Sequence, residues 1–294
     1  MEQIFLFLFV MGLGYASRII LEGLLKKTGL YKLMIGLLVK SIYYFIMPLA
    51  FFTVFLNRGV KDKDHFILLY FLLFILLVYF TLLKGRFNER INLFLVSTFP
   101  NSVFLGYPLC QAVLGRVEVA AVFGVITVVL NVLLPELTVR NKRVITRNIL
   151  GSTALIGFLA GIITHYTLPD YIGILSSHLW WSSTLLSYTA TYVMGLRIPV
   201  GLRGVSRVKT ELLVTGLYRF ITAPILALAI AFLGGFNKID TFELVLVSMT
   251  PPAVMNAVVA EKHGWRPEDT ALIIAVLTVF FIIVVFPVIL LVEF

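Results

Sequence analysis

Ten apolar runs, each close to the thickness of a bilayer, follow one another along almost the whole chain: residues 4–20, 33–56, 66–83, 91–114, 120–139, 149–168, 172–196, 212–233, 242–260 and 270–292. A spanning helix needs about 20 predominantly apolar residues. Ten spans with short turns therefore consume 294 residues and leave no length for a soluble catalytic or ligand-binding domain. Only 13% of the chain is charged, against about 25% in a soluble domain. The predicted fold is an all-α polytopic membrane protein of ten transmembrane helices. The first run is short and takes in Arg18 by snorkelling. It is not read as a cleaved signal, because no basic residue precedes it.

The cations check the helix count. With the N-terminus outside, the cytoplasmic turns hold Arg18, Lys26, Lys27, Lys32, Lys84, Arg86, Arg90, Arg140, Lys142, Arg143, Arg147, Arg197, Arg203, Arg207, Lys209, Lys262 and Arg266, seventeen in all. The outer turns hold five: Arg58, Lys61, Lys63, Arg116 and Lys238. One missed span would scramble every later turn, so the bias favours this topology, with both termini outside the plasma or inner membrane. The net charge of +9 is thus spent on topology. It forms no basic, aromatic-studded face for nucleic acid. The single cysteine, Cys110, excludes an intrachain disulfide framework and any site needing several thiolates.

The basic turn around Arg140–Arg147 divides the chain five plus five. Residues 1–139 form a first five-helix repeat, 140–148 a basic cytoplasmic linker, and 149–294 a second repeat. An odd number of spans per half inverts the second half, an arrangement common among secondary transporters. The fourth span contains Pro100, Asn101, Gly106, Tyr107 and Pro108; the ninth contains Pro251, Pro252 and Asn256. Proline lacks an N–H and crowds the preceding turn, so Pro100, Pro108, Pro251 and Pro252 are expected to open both spans near mid-depth. Opened backbone in lipid must be satisfied by protein or line a cavity. Asn101 and Asn256 are then plausible N-caps of two half-helices, whose positive ends favour an anion. Their amides can donate to a carboxylate without a buried charge. The plainer readings are a kink for each proline and interhelical packing for each asparagine; the matched pair in two repeats favours the site.

These segments resemble a known family. Residues 100–109, PNSVFLGYPL, resemble the fourth-helix signature of the auxin efflux carrier family, which includes the plant PIN carriers and many prokaryotic relatives. Residues 251–264, PPAVMNAVVAEKHG, resemble its ninth-helix signature, and 44–49, YFIMPL, are similar to its second helix. The resemblance implies a scaffold of helices 1, 2, 6 and 7, often a homodimer, and a transport domain of helices 3–5 and 8–10 that moves elevator-fashion. It implies a carboxylate-binding asparagine at Asn101 beside the crossover proline Pro100. The family's second crossover proline falls at Asn256 here, a departure that tells against auxin itself as substrate. The long cytoplasmic loop of the plant carriers is also missing.

The expected activity is secondary transport of a small organic anion, by efflux. The expected substrate-binding residues are Asn101, Asn256, Pro100, Gly106, Tyr107, Pro108, Pro251, Pro252 and Gln111, with Lys40 as a secondary contact. Lys40 and Arg219, both inside spans, have snorkelling as their plainer explanation. Gln111, Asn131 and Glu136 have a structural one. The partners are the anion and the lipid bilayer; no cofactor or metal is expected. All five aspartates fall in turns, where an ion antiporter would want one at mid-membrane. An intramembrane enzyme is disfavoured, because no His-Glu-x-x-His occurs and the four histidines lie in or near separate turns. The nearer rival is a sodium- or proton-coupled symporter, since backbone oxygens at a crossover can ligate an ion; a receptor is the third reading.

Overall fold

The computed structural model describes residues 2–25, 30–83, 87–138, 153–198 and 204–293. Among them the protein is all-helical, and the one β feature is an isolated antiparallel bridge between Pro100 and Pro252. In chain order the helices are α1 (Glu2–Leu25), α2 (Leu30–Ser41), α3 (Met47–Arg58), α4 (Asp64–Val78), α5 (Phe87–Thr98), α6 (Tyr107–Leu114), α7 (Glu118–Thr138) and α8 (Thr153–Thr167). They continue as α9 (Ile172–Leu179), α10 (Trp181–Arg197), α11 (Lys209–Leu217), α12 (Ala223–Leu233), α13 (Lys238–Ser248), α14 (Met255–His263), α15 (Pro267–Phe280) and α16 (Phe286–Glu293). The basic linker at 140–148 lies outside the described residues, as do Lys26, Lys27, Lys84, Arg86 and Arg203.

Among the described residues, six continuous helical stretches are long and apolar enough to cross a membrane: Glu2–Leu21, Ile35–Arg58, Asp64–Leu82, Glu118–Pro135, Val205–Leu233 and Pro267–Leu291. The other apolar runs are shorter or divided. The run at 91–114 is split into α5 and the helix Ser102–Leu114, that at 242–260 into α13 and α14, and that at 172–196 into α9 and α10 at Trp180. The run at 149–168 is described from Thr153, as α8. The surface suits lipid. On α4, Ile67, Tyr70, Phe71 and Phe74 are buried, yet the opposite face is Leu68, Leu72, Leu76 and then Phe80, all exposed. A helix apolar on every side belongs in a bilayer or a large core.

Proline shapes four of these helices without breaking them. A π turn precedes Pro48 (Ile42–Ile46), Pro108 (Ser102–Gly106), Pro224 (Tyr218–Thr222) and Pro287 (Phe281–Val285). The residue just before the proline reaches back five positions in three of them: the N–H groups of Met47, Ala223 and Phe286 donate to the carbonyls of Ile42, Tyr218 and Phe281. One extra residue in the turn makes room for the ring and leaves the helix continuous. Pro108 therefore does not open its span as the sequence suggests. The break in that span is Pro100 alone.

Contacts divide the chain into two compact units, Met1–Asp64 with Val103–Arg197, and His65–Ser102 with Ile198–Phe294. In the first unit α1 packs on α10 and α3 on α8. Glycines let the backbones touch: a Cβ on Gly157 would stand 2.1 Å from the Pro48 carbonyl oxygen, and one on Gly161 2.6 Å from that of Phe52. Small residues are how helices associate in lipid, where no hydrophobic force joins them. Charges gather at one end of this unit. Arg58 grips Asp64 with two 2.8 Å bonds, and Lys61 and Arg116 both pair with Glu118. In the second unit α12 packs on α13 and α14 on α15. Its own polar end pairs Arg207 and Arg266 with Asp269 at 2.7 and 2.6 Å. These ion pairs thus sit at helix ends, where a bilayer gives way to water.

Candidate functional site

The two broken runs meet within the second unit. After α5 ends at Thr98, residues 99–101 are extended; after α13 ends at Ser248, residues 249–254 are non-helical. The extended stretches pair antiparallel. The Asn101 N–H donates to the Pro251 carbonyl at 2.7 Å and the Ala253 N–H to the Phe99 carbonyl at 2.9 Å. This places Pro100 opposite Pro252, at the one kind of antiparallel position where neither residue must donate. A missing N–H therefore costs nothing there. Helix resumes at Ser102 on one strand and at Met255 on the other.

Asn256 is not the N-cap the sequence suggests. Helix α14 begins one residue earlier, Val254 occupies the cap position, and no side chain bonds there. Asn256 is fully buried, and its Nδ2 donates to the carbonyls of Leu95 (3.2 Å) and Phe99 (3.1 Å). It straps the start of α14 to the end of α5. Leu95 and Phe99 keep another donor each, the N–H groups of Phe99 and Ala253. Asn256→Ala should therefore lower the unfolding temperature only modestly, by about 1–2 kcal/mol of stability. Asn256→Asp aims a carboxylate at two carbonyl oxygens in a buried place and should be the worse variant in a detergent unfolding series; equal melting of the two would remove the strap.

Asn101 is also buried, at 2% exposure. Two hydroxyls flank it. Thr98 Oγ1, three residues before, and Ser102 Oγ, one after, are both buried and have no hydrogen-bond partner among the described residues. Buried polar groups are rarely left so. Two hydroxyls within three residues of a buried amide are thus left without a partner among the described residues. Sequence reasoning passed over both, because a lone Ser or Thr in a span ordinarily bonds back to its own helix.

The chain matches no family model, and no curated protein matches it. The resemblance to auxin efflux carriers therefore rests on the segments quoted above.

The structure brings Pro100, Asn101, Pro251, Pro252 and Asn256 together. Gly106, Tyr107, Pro108 and Gln111 belong to the first unit. There the Tyr107 ring is buried, 6.1 Å from that of Phe51. Pro108 and Gln111 line a cavity of about 140 Å³ with Gln3 and Phe7 of α1 and Ser187 and Thr191 of α10. Lys40 is exposed at the end of α2, also in the first unit. Two buried ionisable side chains depart from the sequence reading, Arg219 by its placement and Glu243 by having gone unremarked. Arg219 does not snorkel: it is completely buried in the second unit. Glu243, which no aspartate count would reveal, is fully buried in α13.

Proposed function

We propose that this protein is a secondary transporter of small organic anions, with ten spans in two inverted repeats and the substrate carboxylate held at the paired breaks. The observation that carries the reading is the break at Asn101: one buried amide with two buried hydroxyls within three residues of it, at the end of α5 and at the restart of helix, that have no hydrogen-bond partner among the described residues. Hydroxyl and amide donors bind a carboxylate through charge-assisted bonds. Helix starts at Ser102 and Met255 add partial positive charge without any ionised side chain. Asn256 serves by holding the break in shape. At 2% exposure, Asn101 meets substrate only when the transport cycle opens the site, as an elevator-type movement does. The likeness to auxin efflux carriers at 100–109 and 251–264 points the same way, toward a homodimeric efflux carrier in the plasma or inner membrane with both termini outside.

An inside-negative potential drives a monoanion outward by about 2.3 kcal/mol per 100 mV, so efflux needs no coupled ion. Purified protein in sodium-free proteoliposomes, held at one pH on both sides, should release a loaded carboxylate faster as the interior is made more negative. The carboxylate is chosen beforehand as the one of a small panel that raises the unfolding temperature most. Flux that disappears without sodium or without a proton gradient would give the symporter reading instead, and binding without flux the receptor reading.

A further inference from the structure

Arg219 is an expensive side chain to place. It sits in the π turn Tyr218–Thr222 of the long apolar stretch Val205–Leu233, at 0% exposure. An arginine at the centre of a spanning helix costs about 2.5–3.5 kcal/mol on insertion scales. What it meets there is backbone. Nε donates to the Thr250 carbonyl at 3.1 Å, Nη1 to those of Ser97 (3.4 Å) and Thr98 (3.2 Å), and Nη2 to that of Ser248. The Phe74 ring lies 5.5 Å from the guanidinium carbon, and Tyr70, stacked on Phe74, brings its hydroxyl within reach of Arg219 and Ser248. All these residues belong to one unit.

The four carbonyls share an origin. Ser97 and Thr98 close α5, and Ser248 and Thr250 close α13 or follow it directly. Three of them are acceptors left over when the two runs break, since the last four carbonyls of any helix lack helical partners; the Thr250 carbonyl lies in the non-helical stretch after α13. Each helix end carries roughly half a negative charge, so two ends together approach one. A cluster of main-chain oxygens with about one unit of negative charge is the chemistry that ligates a small monovalent cation. Here a guanidinium already stands in it, with one positive charge and donors directed at all four oxygens.

We infer that Arg219 is a built-in counter-cation: it fills the carbonyl cluster at the paired breaks, and so makes the protein's stability and its site independent of sodium. It is a positioning residue, acting on the substrate only through the breaks it holds together. The inference builds on the proposed transport site, yet it concerns the opposite, carbonyl-rich pole of the breaks and is tested without any substrate.

The test is thermal unfolding of detergent-purified protein in sodium chloride and in choline chloride at equal ionic strength. Wild type should melt at one temperature in both salts, and Arg219→Lys, which keeps the charge, should do the same at a lower temperature. Arg219→Ala empties the cluster; it should melt lower still in choline and recover by roughly 4 °C or more in sodium. If the alanine variant is lost on purification, Arg219→Gln takes its place in the same comparison. A sodium-dependent wild type overturns the inference, because the cluster would then bind the ion with the guanidinium present. Equal melting of the charge-free variants in both salts overturns it as well, leaving Arg219 a structural hydrogen bonder only. Neither result bears on whether carboxylates are carried, and failed anion flux leaves this melting comparison intact.

Discussion

Asn101→Ala is expected to reduce carboxylate transport at least about tenfold while the protein still inserts into the membrane. The two halves of that expectation have separate physical causes. The amide's hydrogen bond to a charged oxygen is worth about 1.5–3 kcal/mol, and each 1.4 kcal/mol is a factor of ten. The bridge, by contrast, uses the main-chain N–H of Asn101, bonded to the Pro251 carbonyl at 2.7 Å, and alanine retains that group. Asn101→Pro removes it and should disrupt the break itself, with loss of both fold and flux. Thr98→Val and Ser102→Ala each delete a hydroxyl that has no partner among the described residues and should weaken binding with little stability cost. The measurements are proteoliposome flux and unfolding temperature on the same preparations. Wild-type flux from Asn101→Ala would place the anion elsewhere.

A large effect on stability is also expected at the contact of α1 with α10. A Cβ on Gly195 would lie 2.1 Å from the carbonyl oxygen of Met11, and one on Gly14 2.2 Å from that of Tyr192. The obstacle in both cases is main chain, which no rotamer change can move. Even Gly195→Ala must therefore push two helices apart, at a cost of about 1–3 kcal/mol or more, and Gly195→Val more again. Gly12, two residues before Gly14 on the same helix, has nothing within 4 Å of its would-be Cβ. Gly12→Ala should be neutral or slightly stabilising, since alanine is the better helix former by about 1 kcal/mol. A melting series of the two alanine variants checks the contrast; equal stability would mean that α1 and α10 do not pack this closely.

Much of the candidate site is visible without coordinates, because Pro100, Pro251 and Pro252 cannot continue a helix hydrogen-bond ladder wherever they are placed. Proline alone, though, does not distinguish a break from a swelling. Pro108 looks like Pro100 in sequence, yet one added residue in the turn before it keeps that helix whole. Pro100 differs by finding another segment of the same chain to pair with, and a pairing partner 152 positions away is not a property of local sequence. Asn256 misled for a related reason. Its type suits a cap, but the helix begins at Met255 and the amide protons are drawn to carbonyls of α5.

The amino-acid order alone determined that this chain is helical, that six or more of its apolar stretches are long enough to cross a bilayer, and that the fourth and ninth runs are interrupted. Periodicity, length and the missing proline N–H are local quantities, so local reading reaches them. Tertiary structure alone decided which side chains satisfy what the interruptions expose. Arg219 reads as a stray charge in an apolar run until the carbonyls of Ser97, Thr98, Ser248 and Thr250 are brought around it. A buried charge is tolerable only where its partners converge, and convergence of segments some 120 and 30 residues distant is set by the packing of the whole unit.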